Sequence, residues 1–397
     1  MSLKGVKIVD LTRIIAGPFC TQLLADLGAD VIKVEAPSGD PLRMQGEKVN
    51  GFSWYFAGYN RNKRSIAIDL RRPDGMDVLR RLLVDADVLV ENFRPGVLDN
   101  MGLGKDVLEG LSPNLIVCSI SGFGSDGPYA QRPAFDFIAQ AMSGFMSLNG
   151  EANGAPMRSG LPISDLVVGL YSALAVCSRL VNRTADTKKG VQTVDVALTD
   201  SMVSMLSFQA ANYLAAGVVP ERSGNDHQLV APYGLFETAD GQVAVAPSND
   251  NVYEKFLKVL DMEHYLDDER INTNEKRMKN KPLLRYIFGP IFKSQCTGHW
   301  IDVMNAAGVP VGPVNSIPDV FTDPQILHRD MVMDVDHGDR GIVQMLGFPM
   351  KFDSDGCEAR RPAPELGAHS AEVLDRAGFN TDEIANLISD QVVKAAK

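Results

Sequence analysis

Several features that announce common function classes are missing from this sequence. Its five cysteines (Cys20, Cys118, Cys177, Cys296, Cys357) are odd in number, widely spaced and never arranged C-x-x-C, so neither a disulfide framework nor a zinc knuckle is indicated. A reducing, cytoplasmic setting fits that usage. No histidine precedes His227, and no two of the six stand at the i, i+4 spacing of a helical metal site, so no bound metal is expected. The G-x-S-x-G elbow of serine hydrolases is absent. So is an apolar signal core in the first ten residues, and the longest nearly uncharged apolar run, Leu166 to Cys177, is shorter than a bilayer span. No membrane association is expected. Basic residues are outnumbered, 39 against 50, and the net charge of −11 argues against a chain-wide surface for nucleic acid or anionic lipid.

What is present is an ordinary globular composition, 45 % hydrophobic and 22 % charged, over 397 residues. At roughly 150 residues per domain that length predicts two or three domains. Through the first third, short apolar runs alternate with helical patterns. Val6–Asp10, Val31–Glu35, Ser65–Leu70, Val88–Glu91 and Leu115–Ser119 read as strands, and Phe19–Leu27 and Asp74–Leu83 as helices. This βαβ rhythm predicts an α/β fold with a parallel sheet. Helical spacing follows from Phe137 to Leu180, broken around Asn149–Pro156, and a further helix is expected over Ser201–Ala216. Composition shifts near Pro220, which divides residues 1–220 from a smaller α+β unit at 221–315. There Tyr233–Ala246 carries a hairpin signal with Asp240-Gly241 at its turn, Gly308–Val314 reads as a linker or edge strand, and Ile342–Phe352 as a last strand pair.

Gly122-Phe-Gly-Ser-Asp-Gly127 formally matches the dinucleotide fingerprint after a strand. That fingerprint needs a helix to start at the glycines, and Pro128, Arg132 and Pro133 follow instead, so the match reads as a decoy. Asp165 is the single acid in an otherwise uncharged stretch, Gly160–Val176, at a helix start. The residues leave two readings open: an N-cap, whose carboxylate binds first-turn amides, or a nucleophile or base in a partly desolvated cleft. Arg61, Lys63, Arg64, Arg71, Arg72 and Arg94 fall in or beside loops of the βαβ region. They are either solvated surface or a local cationic rim for phosphate.

Several stretches together resemble the class III CoA transferase family (CaiB/BaiF type). They are Asp10-Leu-Thr-Arg-Ile-Ile-Ala-Gly-Pro18, Ala25-Asp-Leu-Gly-Ala-Asp-Val-Ile-Lys-Val-Glu35, Asn60-Arg-Asn-Lys-Arg-Ser-Ile66, Glu91-Asn-Phe-Arg-Pro-Gly96, Ser119-Ile-Ser-Gly-Phe-Gly124 and Ser164-Asp-Leu-Val-Val-Gly-Leu170. The likeness continues through Ala231–Phe236, Gly308–Pro313 and Arg361–Gly367. It implies a Rossmann-like large domain built from residues 1–220 and the returning segment 316–397, a small domain at 221–315, and an interlocked homodimer.

The resemblance further implies transfer of CoA from an acyl-CoA thioester to a carboxylic acid. Asp165 matches the family's nucleophile, passing through an aspartyl anhydride and an aspartyl-CoA thioester. No tightly bound cofactor is implied, coenzyme A being part of donor and product. Ala16 would offer a backbone contact to CoA, Arg71 would meet its phosphates, and Asn92, Phe93 and Arg94 would line its path. Arg132 approximates a further basic position, while Asn100 stands where some members carry an arginine. Overall likeness favours members using succinyl-CoA and a dicarboxylate, whose second carboxylate Arg158, Arg222, His227 or Tyr233 would receive. Two alternatives share the fold: an α-methylacyl-CoA racemase and a catalytically inactive CoA-binding protein. The racemase branch places a histidine where this chain has Phe135, which has no proton to exchange.

Overall fold

Valine, isoleucine and leucine crowd the early strands because both faces of a parallel sheet are covered by helices. In the computed structural model, which describes residues 1–49, 51–183, 190–354 and 356–396, these strands are β1 (Lys7–Asp10), β2 (Asp30–Glu35), β3 (Lys63–Ile68), β4 (Val88–Glu91), β5 (Ile116–Ser121) and β6 (Gln192–Ala197). They stand in the order β3-β2-β1-β4-β5-β6, all parallel, and Val393–Lys394 pairs antiparallel outside β3. The chain therefore changes its direction of progress across the sheet between β1 and β4. Ligands of such sheets bind at that crevice, beyond the C-terminal strand ends.

Alternate side chains along the strands feed two cores. Val9, Ile66, Ile68, Leu89 and Val117 meet α2 (Pro73–Val84) and the helix Ser370–Arg376 on one face. Ile8, Val31, Val88, Val90, Ile116 and Cys118 face the other way. They meet α1 (Ala16–Asp26), α3 (Asp136–Met142), α4 (Ile163–Arg183) and α5 (Leu198–Ser204).

The fingerprint-like glycines open no helix: the chain runs through turns from Gly122 to the start of α3 at Asp136. The single helix expected over Ser201–Ala216 is two, α5 and Ser207–Ala216, separated where Ser207 takes a left-handed φ of 52°. The last strand pair lies earlier than expected, Val332–Asp336 with Ile342–Leu346. The apolar run Leu166–Cys177 also proves part of something longer. Ile163–Asn182 is a helix long and apolar enough, at a mean hydropathy of 1.5, to cross a bilayer by length and composition. Its Val168 and Val176 are buried against α1 and the sheet, while Leu170 and Leu174 are exposed.

Two compact units make up the chain. One comprises Met1–Met146, Arg158–Ala216 and Leu327–Lys397, and the other Ser147–Met157 and Gly217–Ile326. The second unit thus includes a strip, Ser147–Met157, from inside the stretch read as the large domain, and it runs past residue 315. Arg222 explains the strip, since its guanidinium donates to the carbonyls of Ser147 and Gly154. Within this unit Gly234–Glu237 and Gln242–Val245 form the expected hairpin around Asp240-Gly241, with Val311–Pro313 as its edge strand. Its core is aromatic, built on Tyr253, Phe256, Phe288, Phe292 and Trp300.

One contact sets the spacing of α1 and α4. A Cβ on Gly169 would lie 2.9 Å from the Ala16 carbonyl oxygen and 2.9 Å from the Phe19 ring. Alanine is the better helix former by about 1 kcal/mol, but overpacking against backbone costs about 1–3 kcal/mol. Gly169→Ala is therefore expected to lower Tm and to displace Asp165, which lies one turn away on α4. Thermal unfolding monitored by circular dichroism checks this; a raised Tm would show that the helices separate freely.

Candidate active site

The site begins with the turn from β1 into α1. Asp10 accepts the Thr12 N–H (2.8 Å), and the Asn92 side chain accepts the Arg13 N–H (3.0 Å) while donating to the Arg13 carbonyl (2.8 Å). Asn92 thereby ties the ends of β1 and β4 together across the switch point. The N-terminus of α1 has no side-chain cap and no acidic residue in its first turn. Among the described residues, the N–H groups of Ala16 and Gly17 find no acceptor. They are the orphan donors of a helix start, suited to an anion or a developing oxyanion.

Asp165 comes to the same place on the first turn of α4. Asp165 does not cap this helix. Asp136 binds the helix start, accepting the Ser164 N–H (3.0 Å) and hydroxyl (2.8 Å) on one carboxylate oxygen and the Gln140 amide (2.7 Å) on the other. Gln140 in turn accepts the Ser159 N–H at 2.8 Å. Asp165 accepts no hydrogen bond among the described residues. Burial, with a smaller contribution from the Asp136 charge, pushes its pKa up to about 7. Tyr55 and Tyr59 also sense this carboxyl: burial first, then nearby negative charge including Asp165, raises both, Tyr59 to about 12.

Ala16, Asn92, Phe93, Arg94, Arg132 and Asp165 line one cavity of about 200 Å³. Arg13 lines it too. Nothing in the spacing of Arg13 along the sequence shows that the β1–α1 turn brings it to the same cavity as Arg94. Phe93 and Arg94 continue into a neighbouring cavity of about 310 Å³ that reaches Lys105 and Thr193. Arg71 is not among these residues. It stands on the turn after β3, its side chain 86 % exposed and paired with Asp69 at 2.8 Å. Most of the other cations grouped with it are used internally: Arg61 pairs with Asp26, Arg64 with Asp30 and Glu372, and buried Lys63 with Asp10. The rim of the cavity is Arg13, Arg94 and Arg132.

In the second unit, His227 and Tyr233 stack with ring centroids 4.8 Å apart, and Arg222 is the tie already described. Arg158 donates from Nε to the Ser159 carbonyl at 3.0 Å. No group of three or more histidines, cysteines and acids is placed to hold a metal among the described residues.

A family model, CoA-transferase family III, matches residues 3–370. The chain belongs to CoA-transferase family III. A succinyl-CoA:glutarate CoA-transferase of Homo sapiens is 38 % identical over 394 residues, covering 98 % of this chain and 90 % of that protein. An acyl-CoA transferase of Fusarium pseudograminearum is 39 % identical over 404 residues, covering 99 % of this chain and 88 % of its own length. Among solved structures, a CaiB/BaiF family protein from Brucella suis aligns with a TM-score of 0.85 at 40 % identity, over 94 % of this chain and 99 % of that one. As a family III CoA-transferase, this protein is an enzyme that takes CoA thioesters as substrates, and its α/β architecture with a mainly parallel large sheet is the family's.

The environment of Asp165 has a measurable consequence. The native carboxyl gains its proton near pH 7 and the unfolded one near 3.8. Between those values the native state binds more protons, so stability falls as pH rises through the window. Asp165→Asn removes this effect. It is expected to raise stability at pH 8 by roughly 1–3 kcal/mol, with a gain that shrinks towards pH 5. Thermal melts of both proteins across that range check it, and a gain independent of pH would count against a desolvated acid.

Proposed function

We propose that Asp165 is the nucleophile of a CoA transfer between two carboxylic acids. The observation that carries this reading is one cavity at the sheet's switch point, lined by an uncapped helix start, three arginines and a desolvated carboxyl that caps nothing. The ionised Asp165 attacks the thioester carbonyl of the donor, forming an acyl-aspartyl anhydride and expelling CoA thiolate. The thiolate then attacks the aspartyl carbonyl, releasing the donor's acid and leaving an aspartyl-CoA thioester. The acceptor carboxylate displaces CoA from that thioester as a second anhydride. The thiolate finally attacks the acceptor carbonyl, yielding the new acyl-CoA and free Asp165. Each step exchanges one activated acyl bond for another. The N–H groups at the start of α1 are suited to an anionic group of the bound substrate.

In this reading Ala16, Asn92, Phe93 and Arg94 carry the CoA arm, and Arg94 and Arg132, joined by Arg13, meet its phosphates. Arg71 stands at the same sheet edge and would have to exchange Asp69 for a phosphate. Succinyl-CoA as donor and a dicarboxylate such as glutarate as acceptor are supported by the human relative. We read the two compact units as a large nucleotide-binding domain and a small domain, and the working form as an interlocked homodimer. Support for the dimer is the apolar surface left open on Leu174, 65 % exposed, and Leu214, 81 % exposed. The unpaired state of all five cysteines supports a cytoplasmic setting.

The test is a panel of carboxylate acceptors assayed against succinyl-CoA and acetyl-CoA, with product masses read directly. Succinyl-CoA with a dicarboxylate is expected to be fastest. Asp165→Ala should lose at least about a thousandfold in kcat, and trapping with donor should place acyl or CoA mass on the peptide containing Asp165. An Asp165→Ala protein with full activity would sink the mechanism. Arg94→Ala is expected to raise KM for acyl-CoA about tenfold with little change in kcat, the pattern of lost uniform binding.

A further inference from the structure

The β1–α1 turn is held in a conformation its sequence resists. Ile14, a β-branched residue, has φ of 70°, the left-handed region that costs such side chains most. Strain of this kind persists only where the surroundings over-determine it. The surroundings here are a buried ion pair. Both carboxylate oxygens of Asp40 accept the Ile14 N–H, each at 3.2 Å. Lys33, with no exposed surface, donates to the Thr12 carbonyl at 2.9 Å and pairs with Asp40 at 3.0 Å. Asp40 is fixed from behind, its own N–H donating to Glu35 (3.0 Å), which Arg43 grips through two nitrogens and Ser65 through its hydroxyl. Burial lowers the Lys33 pKa, but Asp10, Asp40 and Glu35 outweigh burial and hold it above the ordinary lysine value. None of these groups except Ile14 lines the cavity.

We propose that Lys33 and Asp40 are positioning residues for acyl-CoA binding: the buried pair clamps Ile14 in its left-handed conformation and so presents Arg13 and the free amides of Ala16 and Gly17 to the substrate. The clamp acts on binding more than on the covalent steps, because Asp165 is carried by α4. It rests on the reading that the cavity takes acyl-CoA.

The experiment measures KM for acyl-CoA, kcat, and hydrogen exchange of the peptide spanning residues 11–18 in the ligand-free enzyme. Asp40→Ala is expected to raise KM about tenfold with kcat within about threefold, and to speed exchange in that peptide. Asp40→Asn, which keeps an acceptor for Ile14 but loses the charge, should fall between wild type and Asp40→Ala. Adding Ile14→Gly to Asp40→Ala should recover KM to within about threefold of wild type, since glycine takes φ of 70° without a clamp. A lesion that merely loosened the fold would not be repaired by glycine.

A folded Asp40→Ala protein with unchanged KM and exchange overturns the proposal, as does a loss confined to kcat or a double variant no better than the single one. If Asp40→Ala does not fold, Asp40→Asn with and without Ile14→Gly decides the same question. Arg94→Ala separates the two readings. Unchanged KM there means the cavity does not take CoA, and the exchange data then still report on the clamp. Raised KM there with a silent Asp40 series removes this proposal alone.

Discussion

Two lysines without access to water, Lys33 and Lys63, lie beneath the turn that leads from β1 into α1, and their bonds hold the shape of that turn. Lys63 spends its three donors on Asp10 (3.1 Å), the Pro18 carbonyl (2.9 Å) and Asn60 (2.9 Å). Burial would raise the Asp10 pKa, yet Lys63, Lys33 and the hydroxyls of Thr12 and Thr21 together hold it at about 2. Such a network returns little net stability, because desolvation offsets most of the attraction, but removing one partner strands a charge at a cost of about 3–5 kcal/mol. What it fixes is geometry. Gly17 shows how tight that geometry is, since a Cβ there would meet the Thr12 side chain at 2.3 Å.

An acidic chain that handles a polyanion has to sort its cations, and the structure shows how. Arg61 is neutralised by Asp26 and held by the Leu346 carbonyl, and Arg64 by Asp30 and Glu372. These pairs tie the early strands to the returning C-terminal segment. Arg13, Arg94 and Arg132 remain on the cavity, and Arg132 is braced by stacking on Tyr129 at 3.8 Å. Residue type did not separate the structural arginines from the cavity-facing ones. Whether a carboxylate lay opposite each of them did.

That distinction marks the limit of what the sequence makes legible. The βαβ rhythm was readable because burial on both faces leaves unbroken apolar runs such as Val88–Val90, and the hairpin around Asp240-Gly241 because turn chemistry is local. The cluster of Ala16, Asn92, Arg94 and Asp165 was readable only through the family resemblance, since β1, β4 and α4 meet through topology. Asp136 shows why the rest was hidden. Its bond to Ser164 spans 28 residues, so no local pattern tells that it, rather than Asp165, caps α4. The strip Ser147–Met157 was hidden for a similar reason: its allegiance to the second unit rests on Arg222, a residue far along the chain.

The raised pKa of Asp165 and the positive rim around it look contradictory, since three guanidinium groups and a helix start should favour ionisation. Distance from water resolves this. Burial is the largest influence on the carboxyl, the second is the Asp136 charge, and no arginine contributes a resolved effect. In the proposed reading the rim therefore acts on the ligand and not on the acid. A carboxylate that ionises near 7 is more basic than an ordinary aspartate and, once ionised, poorly solvated; both properties suit the nucleophilic role proposed for it. With acyl-CoA bound as proposed, the phosphates sit on the arginines while the uncharged pantetheine arm separates them from Asp165. An added negative charge near the acid would push its pKa higher still and leave it protonated. A neutral arm between the ligand's anionic end and its thioester thus answers, from the ligand's side, the requirement that the desolvated Asp165 sets from the protein's.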